Sequence, residues 1–174
     1  MGDIVVRRGG KPLKDEDRLA DPLANALVYA LGAGLSTLFG VGGHAAVREI
    51  GRKIVWWLEE KEGIRFEGDD PASLLDNVYQ TLKDLGYVED FEVKMEGDVA
   101  TVKAWGCVNI KAISELDRED IRVFGGIRDI IFLTLLGDRF GKGIEPISFE
   151  YDEERDMAVR KSRIYDMLEK GQGK

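Results

Sequence analysis

Two side chains invite a chemical role by type alone: His44 and Cys107, the single histidine and the single cysteine of a 174-residue chain. A hydrolase needs a nucleophile, a base and a partner that orients the base. The choices are therefore Cys107 with His44, a Ser or Thr with a Lys, or two converging carboxylates. Cys107 sits at the end of a predicted strand, where a buried structural thiol is the commoner state. Carboxylates are plentiful, but they fall at helix-surface spacing and converge nowhere in the sequence pattern. One cysteine excludes an internal disulfide and a multi-cysteine zinc site. Haem needs a proximal histidine, and the only one available stands at a helix start beside a glycine-rich corner. No catalytic residue, metal or cofactor is expected.

Two further motifs suggest chemistry at first sight. Gly40 to His44, GVGGH, has the glycines of a phosphate-cradling loop, yet it follows a helix rather than a strand and no Lys-Ser/Thr pair comes after it. A corner between helices is the reading that fits. Glu67, Asp69 and Asp70 lack the spacing of a calcium loop and are read as helix-end charge.

The chain that must position these residues is acidic, with 33 Asp and Glu against 25 Lys and Arg and a net charge of -8. That balance argues against nucleic acid, which demands a clustered basic excess. Abundant charged residues with one Cys and two Gln suit a heat-adapted organism. No signal peptide is read at the start, and a cytoplasmic location is expected. In a chain where 33% of residues are charged, the run from Pro22 to Val47 contains none. It exceeds the ~20 residues that span a bilayer. Asn25, His44 and five glycines interrupt it, so it is read as a buried helix, a corner and the start of a second helix, with no membrane span.

Residues 1–20 read as a flexible leader and 21–170 as a single domain. Asp21-Pro22 starts the first helix, an N-cap acid followed by Pro at the first helical position. Leu23, Leu27, Leu31, Leu35 and Leu38 recur along it to about Phe39, and burial nearly all round is expected. A second helix runs from about Ala45 to Glu62, with Val47, Ile50, Gly51, Ile54, Val55 and Leu58 inward. Trp56 and Trp57, about a hundred degrees apart, are unlike a pair filling one core slot. Asp70-Pro71 starts a third helix that Gly86 closes. Phe91, Val93 and Met95 then alternate with charged residues, and Val99 to Cys107 returns as a second strand. Residues 111–120 read as polar turn. A fourth helix is predicted over Arg122 to Phe140, with Ile127, Ile131 and Leu135 among its apolar residues. A last hairpin follows, with Ile147, Phe149 and Tyr151 alternating and Met157 to Ile164 returning. The fold class is α+β: three helices, a hairpin, a helix and a hairpin, with a four-stranded antiparallel sheet packed on helices.

The series NALVYALGAGL, GGHAAVREIGRKIVWWLEEKEGI, DDPASLLDNVYQTLKDLGY and a hairpin ending in WGC resembles the 4-vinyl reductase domain, a small-ligand-binding module. With FGGIRDIIFLTLLGDRF before the final hairpin, it is also similar to the small core subunits of the TRAPP vesicle-tethering complex. The resemblance spans about Leu23 to Ile164. It implies a dimer-forming sandwich that encloses a hydrophobic pocket between helices and sheet. Departures from both families matter: only Cys107 remains of the several cysteines common in the first, and Leu35-Ser36-Thr37-Leu38 replaces the acylated cysteine of the second.

Three functions follow as expectations. The first is a non-enzymatic binding or assembly protein, a homodimer that holds a small hydrophobic or lipid-like molecule. Its contact residues would be Leu23, Leu27, Leu31, Leu35, Leu38, Trp56, Trp57, Ile127, Ile131 and Leu135. The second is a ligand-sensing regulatory domain acting through partner proteins. The third is a hydrolase or other enzyme built on Cys107 and His44.

Overall fold

A computed structural model describes residues 20–40, 43–121 and 126–167. In order, the elements are α1 (Ala20–Phe39), α2 (Gly43–Glu60), α3 (Pro71–Asp84), β1 (Asp90–Glu96), β2 (Val99–Trp105), α4 (Ile110–Arg118), α5 (Ile127–Phe140), β3 (Lys142–Asp152) and β4 (Met157–Asp166). The α+β class holds, with five helices and four strands among the described residues. The leader, and the end of the chain after Met167, lie outside them.

The sheet runs β1-β2-β4-β3 and every pairing is antiparallel. Register explains its two faces. Phe91 pairs with Ala104 and Val93 with Val102, while Val102 in turn pairs with Arg160 and Ala104 with Ala158. These residues share one pleat face, and α3 and α5 cover it. The intervening residues Glu92, Lys94, Lys103, Lys161 and Arg163 occupy the opposite face. The predicted alternation of Ile147, Phe149 and Tyr151 fails at its first member. The β3–β4 register shifts between Pro146 and Ser148, leaving Ile147 in a bulge and exposed. Pro146 cannot donate to the ladder, so a break there costs little.

α3 forms as its sequence predicts. Asp70 accepts the amides of Ala72 at 2.8 Å and Ser73 at 2.9 Å, Ser73 Oγ reaches back to the Asp70 amide, and Pro71 fills the first turn. Those bonds hold the Asp70 carboxyl below its ordinary pKa, the Ser73 amide contributing most. Leu74, Leu75, Val78, Tyr79 and Leu82 then bury one face of the helix.

Three expectations need correction. Residues 111–120 are largely helix rather than turn: α4 buries Ile110, Ala112, Ile113 and Leu116. Its own N-cap residue, Asn109, makes no side-chain cap bond. The cap comes from α1, where Asn25 Oδ1 accepts the Ala112 amide at 3.0 Å and Asn25 Nδ2 donates to the Val108 carbonyl at 2.9 Å. A nine-residue helix capped from another element carries no local start signal. Secondly, α5 begins at Ile127, because Gly126 is extended and the Asp129 carboxylate accepts its amide at 3.1 Å. Residues 122–125, where the predicted helix began, lie outside the described residues.

The third correction concerns α1. Val28 and Gly32 are buried, but Leu23, Leu27, Leu31 and Leu38 are 74%, 59%, 38% and 75% exposed. α4 covers only the side of α1 that carries Asn25, Val28 and Tyr29. At a hundred degrees per residue the leucines point the other way. The smaller of two core clusters joins Val28 to Val47, Ala112, Ile113, Leu116 and Ile130; the larger lies between α3, α5 and the sheet.

Candidate functional site

Three places in the fold could carry a function: the leucine face of α1, a cavity between helices and sheet, and a buried polar centre at the start of α5.

Leu27, Leu31, Gly34 and Leu38 follow a four-three-four spacing, the seam pattern of paired helices. Leu23 extends the stripe toward the start of the helix, whereas Phe39, also exposed, lies a hundred degrees round from Leu38 and off it. A Cβ placed on Gly34 would meet nothing within 4 Å, so the middle of this face is open. Leu35 differs from its neighbours in the list of expected contacts, packing partly buried against the smaller core. On α2 both tryptophan rings are about half exposed, in edge-to-face contact with centroids 6.4 Å apart. Trp57 walls a shallow apolar depression with Ile50, Ile54 and Leu58. The α5 residues have a different fate. Ile131 and Leu135 are core, Ile127 is partly buried between the two clusters, and none of the three belongs to the exposed face.

The cavity measures about 70 Å³. α3 contributes Leu75 and Tyr79, α5 Ile130, Phe132 and Leu133, and the sheet Ala100, Val102, Ile144 and Ile164. One part is polar, with Asp129, Arg160 and Ser162 in the wall. Arg160 Nη1 stands 2.6 Å from Asp129 Oδ2, a short charge-assisted contact. Sites for drug-sized ligands run from about 300 to 1,000 Å³, so this space suits several waters or a fragment-sized molecule, not a lipid.

Cys107 is held by the turn that leaves β2. Gly106 has φ +59°, and a Cβ there would meet the Glu89 side chain at 2.3 Å, which accounts for the glycine of the WGC motif. The thiol is buried, and Arg128 Nη1 donates to Sγ at 3.4 Å. Burial raises the thiol pKa, against the pull of Arg128. Among the described residues Arg128 is the thiol's hydrogen-bond partner, and the carboxylates of Asp156 and Asp129 act on it only at longer range. His44 lies in the first turn of α2, and its side chain is outside the described residues. Among the described residues no three His, Cys, Asp or Glu stand as a metal-binding group, and no helix is long and apolar enough to cross a membrane.

Burial also shapes the neighbouring phenols. Tyr79 and Tyr87 are driven above the ordinary tyrosine range mainly by desolvation. Tyr151 rises to about 12 through burial and its 2.8 Å bond to Asp156. The sequence reading missed Asn109, Arg128, Asp129 and Arg160, and took Asn25 only as an interruption of the apolar run. One signal was present: Arg128 and Asp129 interrupt an apolar helix, and Arg128 falls on the same face as Ile131 and Leu135.

These features define an α+β protein with a helix-backed four-stranded antiparallel sheet and an uncovered apolar helix. Comparison with protein-family models, curated proteins and solved structures found no match. The resemblance to the 4-vinyl reductase domain and TRAPP subunits therefore rests on the motifs alone.

Proposed function

We propose that this chain is a non-enzymatic assembly protein of the 4-vinyl reductase and TRAPP-subunit type, and that a second copy of itself buries the leucine face of α1. The carrying observation is the stripe Leu23, Leu27, Leu31 and Leu38, uncharged and open in the folded chain. The stripe is self-complementary in the way a two-fold axis requires, with Gly34 near its centre to let the backbones approach closely. On a chain of net charge -8, an uncharged face is where like-charge repulsion between copies is weakest. Light scattering on a size-exclusion column at micromolar concentration tests the proposal. A dimer mass supports it, and a monomer at every concentration overturns it.

A second reading, a ligand-sensing domain acting through partners, is favoured by the cavity with its Asp129–Arg160 pair. Native mass spectrometry of the purified chain distinguishes the two. A retained molecule of fragment size supports sensing, and a bare dimer supports assembly alone.

A further inference from the structure

Arg128, in the first turn of α5, is 2% exposed. Its Nη1 is used on Cys107, and the Tyr79 ring centroid lies 5.8 Å from the guanidinium carbon. Nε and Nη2, the side-on fork that matches two oxygens in one plane, have no hydrogen-bond partner among the described residues. The Asp129 carboxylate comes within 3.7 Å of Nε, but the same oxygen already takes Arg160 at 2.6 Å and the Gly126 amide at 3.1 Å. Two guanidiniums thus share one carboxylate, and one positive charge is left over in a buried place. Water can satisfy the two N–H groups, but it cannot cancel that charge.

Other polar groups with donors to spare adjoin the start of α5. Asn109 is 1% exposed, and neither its amide oxygen nor its amide nitrogen has a hydrogen-bond partner among the described residues. Both atoms lie 3.3 to 3.4 Å from where a Cβ on Gly126 would be, at the very start of α5. The Tyr87 hydroxyl oxygen is turned to the backbone amide of Ile127, in the first helical position, which leaves its proton to donate. A helix N-terminus adds its own positive potential there.

We infer that the start of α5 is a buried site for a small carboxylate, held by Nε and Nη2 of Arg128 and closed by Asn109 Nδ2 and the Tyr87 hydroxyl. Cys107 and Tyr79 stand against the guanidinium and Ile113 against Gly126, which leaves room for a ligand of formate or acetate size only. The site is independent of the α1 face, and a monomeric chain tests it equally well.

The test is thermal unfolding of the full chain, dialysed into chloride and titrated with sodium formate at constant ionic strength. A saturable rise in Tm of about 5–10 °C at a hundredfold excess over Kd is expected. Tyr87→Phe, which removes one donor and keeps the ring, weakens apparent affinity about tenfold. Arg128→Gln abolishes the response. Crystals grown with formate should show planar density across the Arg128 fork. Equal Tm responses in wild type and Tyr87→Phe, or water density alone at the fork, would overturn the inference, and both readouts stand even where Arg128→Gln does not fold.

Discussion

Asn25 accepts the Ala112 amide at 3.0 Å, which places the cap of α4 on a helix more than eighty residues away in sequence. Together with its 2.9 Å bond to the Val108 carbonyl, this contact pins α1 to the start of α4. Asn25→Ala removes both bonds and leaves two helix-end groups without partners. A loss of about 1–3 kcal/mol is expected in urea unfolding at pH 7. Asn25→Asp keeps the acceptor and loses the donor, so it should fall between. Hydrogen exchange at the Ala112 amide is the local readout: exchange as slow in Asn25→Ala as in the wild type would show that α1 does not cap α4.

Gly51 marks the crossing of α2 over α5. A Cβ there would come within 1.9 Å of Thr134 Oγ1 and 3.1 Å of the Ile130 carbonyl. In an exposed helix Gly→Ala gains about 1 kcal/mol, but overpacking a tight core costs about 1–3 kcal/mol. The steric term wins here, because backbone stands behind the side chain. Gly51→Ala is expected to destabilise the chain by about 1–2 kcal/mol. Thr134 Oγ1 is itself buried without a partner among the described residues, so Thr134→Ala in the same chain should recover part of the loss. Strict additivity of the two changes in a double-mutant cycle would rule out the contact.

What could be read from the sequence was whatever announced itself locally. Asp70-Pro71, the first hairpin and the inward residues Val47, Gly51 and Val55 of α2 appear where their residues place them, and the last hairpin does so except at Ile147. α4 did not, since its apolar positions are few and its cap arrives from Asn25. The apolar content of α1 was plain, but its direction was not: the same leucines read as core until the position of α4 shows which side is covered. Arg128 is harder still. Burial of a cation depends on Cys107 and Tyr79 meeting around it, and no spacing within one element encodes that meeting.

Cys107 should behave as a structural thiol. Its burial and raised pKa both suppress the thiolate that reacts with disulfide reagents. Labelling of the native chain at pH 8 is expected to be about a hundredfold or more slower than in denaturant, and limited by opening of the fold. Native labelling at the rate of a free thiol would restore Cys107 to the list of candidate nucleophiles.

The Asp70 cap sets a pH dependence with a definite sign. Its carboxyl pKa is lowered in the folded chain by the Ser73 and Ala72 amides. The unfolded chain therefore takes up this proton first as pH falls. The contribution is complete above the unfolded value, about 3.9, and is lost as pH drops through the lower folded one. Asp70→Ala should lower the Tm at pH 7, with the gap to the wild type closing below about pH 4. A gap that stays constant into strong acid would mean that the ionised cap contributes nothing.

Leu31 offers the sharpest separation of assembly from folding. It is 38% exposed on the open side of α1, three residues from Gly34, whereas Val28 on the covered side is 2% exposed. Leu31→Lys therefore removes no core contact, and long Lys side chains suit an exposed helix face. In a two-fold dimer, however, two lysines would meet near the seam, with like charges losing water together. Circular dichroism and Tm measured at a concentration where the wild type is monomeric should be nearly unchanged. Dimer affinity should fall by about tenfold to a hundredfold in analytical ultracentrifugation. Val28→Lys is the control, since it should unfold the chain instead. An unaltered dimer in Leu31→Lys would move the interface away from α1, with the exposed Trp56 and Trp57 of α2 next to be tested.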